Sequence, residues 1–219
     1  MKRVLQVLAV LAVLVALGAS WYVYSKQPTR QGTVTLANLQ GSVTVRYDDR
    51  GVPHIRAENE TDLYRALGYV HAQDRLFQME IMRRLARGEL AEVLGPKVLE
   101  TDKLFRSLRI RDRAATYVAQ LDHESAHWKA LQAYLDGINQ YQDSHARPME
   151  FDVLGIPKRP FTAEDTISVA GYMAYSFAAA FRTEPLLTYI RDQLGSDYLK
   201  VFDLDWQPKG ALNLAASDW

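Results

Sequence analysis

Between Gly68 and Gly95 the chain reads GYVHAQDRLFQMEIMRRLARGELAEVLG, and from Leu76 to Leu85 it is apolar on nearly every side of a helix. A helix that lacks a clean polar face is normally buried, so the rest of the fold has to wrap this segment. Leu63, Ala66, Leu67 and Val70 hold helical spacing upstream, which starts the helix near Asp62, and Gly88 and Gly95 punctuate its end. A second apolar stripe, Trp128, Leu131, Leu135, Ile138 and Tyr141, predicts another helix with Asp122 as its cap. After the Pro-rich connection GIPKRPFTAED, Thr162-x-x-Asp165 has the form of a capping box. It opens a helix that contains ISVAGYMAYSFAAAF and is again apolar on most sides. Pro185 suits the first turn of a further helix and Gly195 its end.

Strand signals are confined to the N-terminal part. SVTVRY and GVPHIRA flank Asp48-Asp49-Arg50-Gly51, the pattern of a β-hairpin. Pro53 places the second arm at a strand start or a sheet edge. The expected fold class is therefore mainly α with a short N-terminal β-hairpin.

The N-terminus points to export. MKR is followed by VLQVLAVLAVLVALGASWYVY, a basic start and an apolar core, and ALGAS offers candidate cleavage points of a signal peptide. Val7 to Tyr24 is also uncharged and just long enough to span a bilayer, with Trp21, Tyr22 and Tyr24 suited to the interface. Both readings stay open, and in both Lys2 and Arg3 remain inside while the rest is exported. The expected organisation is a signal peptide or membrane anchor over 1–24, a polar linker over 25–32, one domain over 33–204 and a tail over 205–219.

Composition excludes several function classes. The 26 basic and 26 acidic residues give a formal net charge of +0, which offers no electrostatic reason to expect a nucleic-acid partner. With no cysteine, thiol catalysis, Cys-zinc sites and disulfides are all removed. His71 and Asp74 share a helix face and could start a metal site, but position 75 is Arg and position 78 Gln, so no third ligand lies at a helical offset. The plainer reading is that His71, Gln73 and Asp74 hydrogen-bond backbone where two helices meet. His54 follows a proline in a strand arm with no nucleophile nearby, and no Gly-x-Ser-x-Gly elbow is present. Glu80 can pair with Arg83 or Arg84 as ordinary helix stabilisation. Spacing alone shows no catalytic centre.

The run VTVRYDDRGVPHIRAENETDLYRALGYVHAQDRLFQMEIMRRLARGELAEVLG closely resembles the opening of the penicillin amidase family, N-terminal-nucleophile hydrolases that include penicillin acylases and acyl-homoserine-lactone acylases. The resemblance continues through AYLDGINQY, PMEFDVLGIPKRPFTAEDTISVAGYMAYSF and RTEPLL, from about Val43 to Glu184. It implies the α-subunit portion of an αββα fold whose sheet is mostly supplied by a β chain. In that family one exported precursor cuts itself into α and β chains. The new N-terminal serine of the β chain attacks the amide, and its α-amine, with an ordinary pKa near 8, serves as base.

The resemblance therefore implies no catalytic residue in this chain, a β subunit as partner and an N-acyl amide as substrate in the periplasm. The chain ends where an α chain or linker peptide would, and no Gly-Ser junction follows Trp219. Two roles carry over to residues present here. Glu184 matches an α-chain glutamate that helps to bind structural calcium, with a one-residue difference in spacing from Gly171. Met173 and Phe177 match the α-side wall of the acyl pocket. Penicillin acylases that prefer a phenylacetyl group carry an arginine where this chain has Ser176, after Tyr175, so N-acyl-homoserine lactones are favoured over penicillins. A non-catalytic fragment or a membrane-tethered partner-binding protein is the alternative, and a metal-binding module using His54, His71 and Asp74 is a third.

Overall fold

The computed structural model describes residues 2–178 and 180–202. In chain order the elements are α1 (Lys2–Ser25), strands β1 (Thr44–Tyr47) and β2 (Pro53–Arg56), then α2 (Glu60–Arg87), α3 (Ala91–Leu94), α4 (Leu99–Ser107) and α5 (Ile110–Gln120). They continue with α6 (Ala126–Ser144), α7 (Met149–Leu154), α8 (Ala163–Phe177) and α9 (Ala180–Leu194), and short 3-10 turns lie at Pro96–Val98 and Ser196–Phe202. The described residues are mainly helical with one small antiparallel hairpin, as the sequence predicts. It divides into two units, Met1–Tyr172 and Met173–Trp219. The expected tail over 205–219 lies outside the described residues.

In the first unit the hairpin pairs Thr44 with Arg56 and Tyr47 with Pro53. Its turn is built by Asp48, whose carboxylate accepts the backbone amides of Arg50 and Val52, both at 2.9 Å. Gly51 takes the left-handed conformation there, which costs glycine nothing.

The buried axis of this unit is the pair α2 and α6. Gly68 and Gly137 let the two backbones touch: a Cβ on Gly68 would sit 1.9 Å from the Tyr134 carbonyl oxygen, and one on Gly137 1.9 Å from that of Arg65. Around this contact Tyr69, Ala72 and Leu76 of α2 pack with Leu135, Ile138 and Tyr141 of α6, and Phe151, Ile156 and Phe161 close the core from below. Tyr69 meets the edge of Tyr141 at 5.3 Å, and Tyr141 stacks on His145 at 4.4 Å.

Several local expectations need correction. The N-cap of α6 is Ser125, whose hydroxyl accepts the Trp128 amide; Asp122 instead accepts the Glu124 amide in the turn before it. A cap must sit immediately before the first helical residue, and Asp122 is too early for that. The helix expected to continue through Phe181 ends at Phe177, and a new one begins at Ala180. Pro185 therefore lies inside α9, where its missing N–H forfeits one bond of the ladder. Gly195 does end α9, with φ at 95° and its amide on the Arg191 carbonyl.

Candidate functional site

Most chemistry-bearing residues of α2 are committed to holding the frame. Asn59 caps the helix by accepting the Asp62 amide at 2.8 Å. The Asp62 carboxylate then accepts the amides of Gln40 and Gly41 at 2.9 to 3.1 Å, tying the segment before the hairpin to the helix start. Burial alone would raise the Asp62 carboxyl, but the Asn59 side-chain amide, which donates to it at 2.8 Å, the two backbone amides and Arg65 hold it below the usual carboxylate range. Arg65 in turn reaches Asp136 of α6 at 2.7 Å.

At the other end of α2 lies a network much larger than an ordinary helical pair. Glu80 is fully buried, Arg83 is 1% exposed and Arg84 3%. Glu80 accepts from Arg83 and, at 2.6 Å, from Arg84. Arg83 extends to Asp165 of α8 at 3.3 Å, donates to the Pro160 carbonyl at 2.9 Å and lies 3.9 Å over the Phe161 ring. Arg87 joins Asp165 at 3.0 Å to Glu89 at 3.1 Å, and Arg159 reaches Glu89 at 3.0 Å. Asp165 also completes the expected capping box with Thr162. This corrects the expectation of ordinary helix pairs for Glu80. The i,i+3 and i,i+4 spacing is right, but spacing cannot reveal that the opposite side of these charges is covered by another element.

His71 and His54 are not brought together. The Nδ1 of His71 meets the Tyr134 hydroxyl at 2.5 Å, Gln73 donates to the Tyr47 hydroxyl at 3.2 Å, and Asp74 lies 3.8 Å from Arg30. Their partners are thus side chains from distant parts of the sequence, not the backbone expected from local spacing. Burial and the positive charge of Arg75 lower the His71 imidazole below its ordinary range, with Asp74 acting the other way. His54 sits 3.3 Å from Asp48 on the exposed hairpin. Among the described residues no group of three His, Asp or Glu could hold a metal ion.

The three residues singled out for function all fall in the second unit. Met173 and Phe177 lie one turn apart on the last part of α8, 49% and 79% exposed. Ser176 between them gives its hydroxyl to the Met173 carbonyl at 2.8 Å. Glu184 lies on α9 and is also exposed. A single open carboxylate fits calcium as one oxygen donor among the several the ion needs, and no more.

Comparison with known proteins gives this arrangement its context. Residues 42–217 match the family model described as penicillin amidase. The chain is 41% identical over 146 residues to penicillin acylase 2 proenzyme of Pseudomonas sp. (strain SE83), covering 65% of this chain and 18% of that protein. It is 31% identical over 177 residues to acyl-homoserine lactone acylase QuiP of Pseudomonas aeruginosa, covering 78% of this chain and 20% of that protein. It thus spans about a fifth of the length of the curated relatives it matches. Among solved structures it is similar to the thermostable penicillin G acylase from Alcaligenes faecalis, with a TM-score of 0.57 and 28% identity, covering 74% of this chain and 88% of that one. With the helical frame, the hairpin and most of the chain accounted for in this way, the protein belongs to the penicillin amidase family.

Proposed function

We propose that this chain is the α-chain part of an exported acylase that hydrolyses the amide bond of N-acyl substrates together with a β chain. The observation that carries the reading is the division of labour along the chain. The polar groups of α2 are spent on the frame, whereas Met173 and Phe177 stand open one turn apart at the end of α8. The fifth of the relatives' length spanned here and the 88% of one solved acylase chain covered support a partner that carries the remaining machinery.

In this reading the nucleophile is an N-terminal serine of the β chain. Its hydroxyl attacks the amide carbonyl, its α-amine takes the proton, the amine product leaves and water releases the acyl group. This chain supplies an apolar wall: a Met and a Phe at i, i+4 make an adaptable surface for an acyl chain. Glu184 contributes a carboxylate oxygen to a calcium site completed by the β chain. Helix α1, the one described helix long and apolar enough to cross a membrane, directs export and tethers the enzyme at the periplasmic face.

Ser176 favours aliphatic N-acyl-homoserine lactones as substrates. The 41% identity to a penicillin acylase favours penicillins as the competing reading. Coexpression with the β chain, followed by competition between a medium-chain lactone and penicillin G, separates the two. Preferred lactone turnover is the expected result. Preferred penicillin G turnover overturns the lactone assignment, and turnover by the purified α chain alone overturns the division of the active site.

A further inference from the structure

Where α1 leaves its apolar stretch, its two sides differ. Trp21 and Tyr24 are 72% and 73% exposed. Tyr22 instead gives its hydroxyl to Asp152 at 2.8 Å, and Lys26 donates to Asp152 and to the Arg147 carbonyl at 2.8 and 2.7 Å. The foot of the helix is thus fastened to the body. At about 1.5 Å per residue the helix is some 36 Å long, enough to cross a hydrocarbon core of about 30 Å. Ser25 and Lys26 then lie at headgroup depth.

A cleft of about 620 Å³ opens at this point, and Ser25 and Lys26 are part of its wall. Five cationic side chains line it, Lys26, Arg30, Arg50, Arg75 and Arg147, against two carboxylates, Asp74 and Glu150. This imbalance sits in a chain whose formal net charge is +0. Lys26 and Arg147 share Asp152, and Arg30 lies near Asp74. Arg50 and Arg75 are exposed and pair with no carboxylate among the described residues, Arg75 reaching only Gln78 at 3.5 Å.

We propose that this cleft binds the phosphate headgroup of an anionic phospholipid from the leaflet in which α1 ends. Guanidinium groups suit phosphate oxygens through paired N–H donors. The bilayer supplies such headgroups at the depth where the cleft opens, and Trp21 and Tyr24 face the interface beside it. The bound lipid fixes the body at a defined angle to the membrane. The proposal rests on the tether in the reading above and not on the acylase chemistry.

The test uses the full-length protein extracted from membranes in a mild non-ionic detergent. N-terminal sequencing comes first, and a mature chain that starts after the apolar segment overturns the proposal. Thermal melting is then followed against dilauroyl phosphatidylglycerol, dilauroyl phosphatidylcholine and inorganic phosphate. Phosphatidylglycerol is expected to raise the melting temperature saturably, with the other two ineffective at the same concentration. Arg50→Gln and Arg75→Gln should each raise the half-saturating lipid concentration about fivefold, the equivalent of the roughly 1 kcal/mol a basic residue contributes at an anionic surface. Equal curves for the two lipids, an equal effect of inorganic phosphate, or a double variant that titrates like wild type overturns it. Amide hydrolysis should be unchanged in both variants, so loss of the acylase reading would leave this result standing.

Discussion

The α2–α6 frame and the Met173–Glu184 segment reverse the usual placement of side chains in opposite ways. In the frame, charged side chains are buried: Asp62, Glu80 and Arg83 are each about 1% exposed or less. In the segment, Met173 and Phe177 are open, at 49% and 79%. A charge is removed from water at a cost of several kcal/mol unless it is paired and hydrogen-bonded, so the frame tolerates little change. An open apolar side chain contributes almost nothing to stability until a partner or ligand covers it. Stability is therefore concentrated in the frame, and if the open segment serves recognition as proposed, substitutions should separate the two.

The largest effect is expected from Glu80→Ala. It leaves Arg83 and Arg84 buried without their common carboxylate, and losing one partner of a buried pair costs about 3–5 kcal/mol. Thermal melting of the coexpressed protein measures it. A loss below about 1 kcal/mol would mean that the network opens to water and that these charges are solvated rather than buried.

Gly137→Ala comes next, at about 3 kcal/mol, the upper end for overpacking. A new Cβ would lie 1.9 Å from the Arg65 carbonyl, and backbone cannot swing aside as a long side chain can. Soluble yield and melting temperature should both fall. Gly155→Ala serves as a control for lost glycine freedom, since nothing lies within 4 Å of its Cβ position although φ is positive.

Acidification should act on the frame first. Asp62 lies below its ordinary value of 3.8. Glu89 lies below 4.5: burial raises it, but Arg159 and Arg87 more than offset this. A depressed carboxylate contributes stability that is present above its unfolded pKa and lost as pH falls toward the folded one. Melting temperature should therefore decline from about pH 5 downward. Glu89→Gln should flatten that decline, and an unchanged acid slope would remove Glu89 from the account.

The smallest effects on stability belong to the open segment. Phe177→Ala should change stability by less than about 0.5 kcal/mol, as exposed substitutions do, while shifting selectivity among acyl chain lengths about tenfold in relative kcat/KM. If stability falls and selectivity holds, Phe177 is covered framework and the acyl-wall assignment is lost. Glu184→Gln should leave the α chain's own melting unchanged but remove any stabilisation that added calcium gives the two-chain enzyme. Stabilisation by calcium that persists in the variant would free Glu184 from the metal site.

How much was legible depended on range. Helices α2, α6 and α8, the hairpin and its Asp48–Gly51 turn, the Thr162–Asp165 box and the glycine ends at Gly88 and Gly195 were readable because each rests on residues within a few positions of one another. The partners of His71, Gln73 and Asp74 were not, because Tyr134, Tyr47 and Arg30 lie 63, 26 and 44 residues away along the chain. Nor was the break after Phe177, where Ala178, Ala179 and Ala180 carry no stop signal.

By itself the sequence determined the helical class, the N-terminal hairpin, the lack of cysteine in these 219 residues and the motifs that mark the family, since all of these follow from local pattern and composition. Only the tertiary structure decided that Glu80, Arg83 and Arg84 are interior rather than surface. It alone showed that Gly68 and Gly137 are the contact points of two helices and that Arg50 and Arg75 face one cleft with the foot of α1. Burial and charge pairing depend on which distant segments meet, and that is a property of packing, to which local spacing is blind.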